Sequence, residues 1–102
     1  MQMNSYQNPS IDRLLAAIGS LRTDEERASF FEDVCTIKEL QDMAQRFEAA
    51  ILLQDGASYQ TISAKIGIST ATISRVNRCL AYGRGGYRTA IARMQEVSSN
   101  DR

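Results

Sequence analysis

Residues 59–78 read YQTISAKIGISTATISRVNR, and the fold turns on them. Ile62 and Ile66 stand four residues apart, one face of a short helix for which Ser58 can serve as cap, and Gly67 closes it. Ser69 or Thr70 opens a second helix within three residues, with Ile73, Val76 and Leu80 on one face and Ser69, Thr72, Arg75 and Arg78 left for the others. Two short helices joined so tightly must cross at a large angle, and the turn needs a residue that tolerates positive φ, as glycine does. Ser63 is small where the helices cross, and Ile68 plugs the turn. The layout is a helix-turn-helix; two core helices that merely happened to meet would not need all of these residues.

That layout gives the second helix a chemistry. A recognition helix lies in the major groove of duplex DNA with its amino-terminal residues at base edges and flanking bases on phosphates. The hydroxyls of Ser69, Thr70, Thr72 and Ser74 suit bases or phosphates, the threonine methyls suit thymine methyls, and Ala71 permits close approach. Arginine reads guanine and clamps phosphate equally well, so Arg75 and Arg78 could serve in either role, and Arg75 could also meet a ligand or an internal carboxylate. Lys65, Arg84 and Arg88 read as backbone contacts or as a solvated basic face. Gly83-Arg84-Gly85-Gly86 lacks the GK[ST] ending of a P-loop and reads as a helix end and a turn, before a last helix from Tyr87 to about Val97.

Toward the amino terminus, Asp55-Gly56 ends a long helix over 37–54 that carries Ile37, Leu40, Met43, Ala44, Phe47 and Ala50 through Leu53. An apolar surface that wide needs cover on most sides, which points to a second chain; a monomer built around a central helix is the alternative. Thr36-Ile37-Lys38-Glu39 and Thr23-Asp24-Glu25-Glu26 both have the capping-box pattern, so a helix with Phe30, Phe31 and Val34 as its apolar face lies between them. A first helix starts at Pro9-Ser10 and carries Ile11, Leu14, Leu15, Ile18 and Leu21. Residues 1–9 are polar and aperiodic, a loose leader. The expected organisation is one all-helical domain over 10–97, with a dimerisation core at 10–55, the helix-turn-helix at 58–81, the last helix at 87–97, and a tail at 98–102.

The 102 residues hold twelve basic and twelve acidic side chains, and taken as an average a net charge of zero argues against a phosphate binder. The average misleads: residues 1–55 carry ten acids and five bases, residues 56–102 seven bases and two acids. Between Gly56 and Gln95 there is no acid at all. Histidine is absent, which excludes Ser-His-Asp and Cys-His centres and histidine metal sites, so neither an enzyme nor a cofactor is expected. Cys35 and Cys79 form no CxxC pair, and no apolar run approaches the ~20 residues of a membrane span. A cytoplasmic protein is expected.

The run TIKELQDMAQRFEAAILLQDGASYQTISAKIGISTATISRVNRCLAYGRGGYR resembles the Trp repressor superfamily, and CTIKEL (35–40) and ATISRVNRCL (71–80) resemble its YerC/YecD branch. The resemblance covers about residues 10–95. It implies an intertwined helical homodimer whose first three helices form a shared core with helix-turn-helix heads. It also implies an effector pocket: Thr36, Arg46 and Arg75 match the threonine and two arginines that surround tryptophan in the repressor. Val76 stands where the repressor has a glycine that leaves room for the indole, and Cys79 where it has a serine. A branched side chain in the space of a planar ring would cost about 1–3 kcal/mol even if partly relieved, so tryptophan is not expected to bind in the repressor's manner. The expectation is a homodimeric repressor acting on double-stranded DNA. Its alternatives are a repressor with a different small effector near Thr36, Arg46 and Arg75, and a structural dimer that binds no DNA.

Overall fold

The computed structural model describes residues 8–100, with side chains through Val97, and every regular element among them is helical. The order is α1 (Pro9–Ser20), α2 (Asp24–Val34), α3 (Ile37–Gln54), α4 (Tyr59–Ile66), α5 (Thr70–Tyr82) and α6 (Gly86–Asn100). Two compact units divide the chain after Leu40, so only the first turn of α3 belongs to the first unit.

In the first unit the ends of the helices are set locally. Asn8 Oδ1 accepts from the N–H groups of Ser10 and Ile11 at 2.9 and 3.3 Å, with Pro9 in the first turn where its missing N–H costs nothing. The start of α1 therefore recruits Asn8 and Pro9 from the segment read as a leader; residues 1–7 lie outside the described residues. Thr36 and Glu39 form the reciprocal box, Glu39 N–H donating to Thr36 Oγ1 at 3.0 Å and Thr36 N–H to Glu39 Oε1 at 2.9 Å. At Thr23 the box is altered. The Glu26 carboxylate reaches past the cap and accepts from the Arg22 N–H at 2.7 Å.

Neither α1 nor α2 holds a buried residue. Phe30 and Phe31 meet edge to face with ring centres 5.4 Å apart and are half-buried, whereas Val34, expected on the same apolar face, is exposed. Ile37 is 77% exposed, the largest value among the large apolar side chains described in this unit. Asp12 Oδ1 is shut off from solvent yet has no hydrogen-bond partner among the described residues.

The second unit has a core of its own. The carboxy-terminal half of α3 supplies Ala49 and Ala50, both fully buried, and their small side chains let neighbouring helices approach closely. Ala49 packs with Ile62 of α4 and Ile73 of α5, beneath Tyr59, Ile66 and Ile68; Ala50 packs with Val76 and Leu80 of α5 and Ile91 of α6, beside Phe47 and Tyr87. Leu53 touches both groups. The helix then stops in a Schellman turn: Gly56, at φ +90°, donates to the Leu53 carbonyl and Ala57 N–H to that of Leu52, both at 3.0 Å. At the far end, α6 starts at Gly86, one residue before the expected Tyr87, and runs through Asn100 into the stretch read as a tail.

Candidate nucleic-acid interface

The two helices of the motif are capped alike. Ser58 Oγ accepts from Thr61 N–H and donates to Thr61 Oγ1 at 2.9 Å; Ser69 Oγ accepts from Thr72 N–H and donates to Thr72 Oγ1 at 3.0 Å. Between them Gly67 sits at φ +87° and its N–H donates to the Ser63 carbonyl at 2.8 Å. The Ser63 side chain does more than stay small. Its Oγ donates to the Ile68 carbonyl at 2.7 Å, which ties α4 to the turn.

With Ile73, Val76 and Leu80 buried, the opposite face of α5 is fixed. It carries Ala71, Arg75 and Arg78, all exposed, with Thr70 also exposed and Thr72 and Ser74 half-buried on its flanks. Neither Arg75 nor Arg78 has an acidic partner among the described residues, nor does Lys65 or Arg84. No carboxylate among the described residues therefore neutralises Arg75. Ser69 and Thr72 are engaged in the cap, so a contact from either to DNA must coexist with that bond.

The remaining bases part company. Lys65 is exposed in the last turn of α4, where its charge suits the helix dipole, and it borders a crevice of about 420 Å³ with Gln45, Glu48, Ile51, Leu52 and Ile66. Arg84 is exposed between α5 and α6. Arg88, read from sequence as a backbone contact or a solvated base, has a structural duty: its Nε donates to the Leu80 carbonyl at 3.0 Å, fastening α6 to the end of α5.

The residues of the expected effector pocket fall on different elements, Thr36 just before α3, Arg46 on α3, and Arg75, Val76 and Cys79 on α5. Thr36 is exposed and occupied in the α3 capping box of the first unit, while Arg46 is half-buried on α3 in the second and has no ion pair among the described residues. Val76 is 1% exposed and part of the core, so it is not the wall of an open pocket. Cys79 does border open space, a cavity of about 440 Å³ that it shares with Phe47, Gly83, Arg84, Tyr87 and Ala90. A residue that escaped the sequence reading is Tyr82, which extends the exposed face of α5 and is itself 87% exposed. Its spacing of four from Arg78 was the available signal.

The family model described as Trp repressor protein matches residues 9–95. The uncharacterized protein YerC of Bacillus subtilis (strain 168) is 44% identical over 99 residues, 97% of this chain and 95% of YerC. A crystal structure of a TrpR-like protein from Eubacterium eligens superposes with a TM-score of 0.84 at 46% identity, covering 90% of this chain and 95% of the other. A candidate Trp repressor from Staphylococcus aureus gives 0.83 at 40% identity, over 93% and 95% of the two chains.

Proposed function

Because the chain belongs to the Trp repressor family, whose members are helix-turn-helix DNA-binding regulators rather than enzymes, we propose that it is a homodimeric repressor that binds a pseudopalindromic operator without tryptophan. The observation that carries the reading is the face of α5 opposite the core: Ala71 lets the helix approach the groove floor, and Arg75 and Arg78 follow it unneutralised among the described residues. Thr70, Thr72 and Ser74 flank that face and add donors and acceptors to base edges. Lys65, Ser69 and Arg84 hold the flanking phosphates.

Dimerisation is supported by the poverty of the first unit. Leu14, Val34 and Ile37 are exposed there, α1 and α2 bury nothing, and Asp12 Oδ1 lacks a donor among the described residues. Apolar helices in that state gain their stability by packing against a second copy, as the intertwined arrangement provides. Two heads related by a two-fold axis then meet successive major grooves, ~34–36 Å apart. The reading without tryptophan is supported by the resemblance, in which Val76 takes the place of a glycine beside the indole, and by the burial of that side chain among Ala50, Leu80 and Ile91. A cytoplasmic location accompanies this role, and none of the described helices is long and apolar enough to cross a membrane.

Selection of bound sequences from a random duplex pool, with and without tryptophan, tests the reading. A two-fold-symmetric sequence enriched equally in both arms is the expected result. No enrichment would instead favour a structural dimer, and a monomer in sedimentation at micromolar concentration would overturn the dimer. The cavity beside Cys79 supports one second reading, a repressor whose effector is a small molecule other than tryptophan. Such a ligand at 100 times its dissociation constant would stabilise the fold by ~2.7 kcal/mol in a thermal-shift screen.

A further inference from the structure

The exposed face of α5 does not end at Arg78. At about 100° per residue, Ala71, Arg75, Arg78 and Tyr82 fall within an arc of roughly 60°, opposite the buried Ile73, Val76 and Leu80. Tyr82, at 87%, is the most exposed of the large apolar side chains among the described residues. Its hydroxyl makes no hydrogen bond there either. The helix end does not require it, since Gly83 closes α5 through its own N–H on the Cys79 carbonyl at 2.8 Å, and a Cβ at Gly83 would collide with that oxygen. Neither packing nor capping thus accounts for a large aromatic residue at this position.

We propose that Tyr82 is a contact to the DNA backbone, its hydroxyl donating to a phosphate oxygen at the edge of the groove that receives the start of α5. The inference rests on the DNA-binding reading above. From Ala71 to Tyr82 the helix rises ~16 Å at 1.5 Å per residue, and a recognition helix brings its amino-terminal residues to the base edges, which leaves Tyr82 at the far end of the face. With the amino-terminal end of α5 at the bases, Tyr82 stands over the sugar-phosphate wall. There the ring packs on sugar and the hydroxyl reaches phosphate, a sequence-independent contact that sets the register of the helix. Being neutral, the phenol displaces no counterion, which separates it from the arginines of the same face. Continuity with Arg75 and Arg78 favours DNA over a second copy of the chain as the partner of this face.

The test uses the full chain, with Tyr82→Phe, Tyr82→Ala and Arg78→Ala titrated against a duplex that the wild type binds and against an unrelated duplex, at roughly 50 to 200 mM salt. Tyr82→Phe should bind about fivefold more weakly to both duplexes, the equivalent of one hydrogen bond, with an unchanged salt slope. Arg78→Ala should lower the magnitude of that slope by ~0.9. Wild-type affinity in Tyr82→Phe would overturn the inference, as would a loss confined to one sequence, which would make Tyr82 a base reader. A shift of Tyr82→Ala to a smaller species in sedimentation would also overturn it and assign the face to a second copy. A wild type that binds no duplex at any salt would remove the DNA-binding reading and this inference together.

Discussion

Replacing Val76 with alanine distinguishes two incompatible places for that side chain, the wall of an open effector pocket and the core of the protomer. The side chain is 1% exposed and packed with Ala50, Leu80 and Ile91, so both of its methyl groups are withdrawn from water. At ~0.8 kcal/mol for each buried group, their removal costs about 1.6 kcal/mol in transfer alone. If the surrounding helices do not close the gap, a void of about 50 Å³ at ~24 cal/mol per Å³ adds about 1.2 kcal/mol. The expected loss is therefore between ~1.6 and ~3 kcal/mol, against ~0.5 kcal/mol or less for a side chain that lines open space. Urea denaturation at fixed protein concentration should show a lower midpoint at an unchanged slope, since the surface exposed on unfolding is nearly the same. Calorimetric titration of the same variant with tryptophan should show no binding, because the space opened is enclosed by Ala50, Leu80 and Ile91 rather than connected to solvent. A loss below ~1 kcal/mol, or a variant that acquires tryptophan binding, would refute the placement of Val76 in the core and return it to a pocket.

The other perturbations separate structural residues from DNA-facing ones. Arg88→Ala removes the bond to the Leu80 carbonyl and should cost about 1 kcal/mol of stability, with the salt slope of DNA binding unchanged; a slope reduced by ~0.9 would make Arg88 a phosphate contact after all. Gly67→Ala forces a Cβ into the left-handed region at φ +87° and should cost about 1–2 kcal/mol in chemical denaturation, with Gly67→Asn less affected; equal stability of alanine and glycine at this turn would contradict the turn geometry.

The features legible in the sequence are those settled within a few residues. Thr36 with Glu39, Ser58, Ser69 and Gly67 each satisfy N–H groups or a dihedral that the adjacent chain already dictates, so their residue types announce their roles. Arg88 could not be read that way. Its partner is the carbonyl of Leu80, eight residues away across the turn between α5 and α6, and only the packing of Ile91 against Leu80 brings the two together. Val76 shows the same dependence on packing: as a member of the Ile73-Val76-Leu80 stripe it was expected to seat the helix, whereas the comparison with a tryptophan pocket drew it toward a ligand. Its burial agrees with the stripe, because burial follows the helical period of this chain. The end of α6 was hidden for a different reason, since no glycine or proline marks a stop between Val97 and Asn100.

The unequal division of charge acquires its meaning from these partners. In the first unit Arg27 bonds Asp24 at 2.8 Å and the Leu21 carbonyl at 3.3 Å, so that guanidinium is spent on the helix start. From residue 56 to 95 no acid is present to do the same for Lys65, Arg75, Arg78 and Arg84. Stability loses little by this, because an exposed ion pair contributes only ~0–1 kcal/mol. Binding gains much more: each phosphate neutralised releases condensed counterions, and six such contacts change the affinity about a thousandfold between 50 and 200 mM salt. An acid placed on the face of α5 would therefore leave the fold almost untouched while repelling the phosphate backbone, and the acids of this chain lie mainly in the half that packs rather than reads. A net charge of zero is the sum over two halves of the sequence of opposite sign, and the basic half carries the face that meets DNA in the reading proposed for this family member.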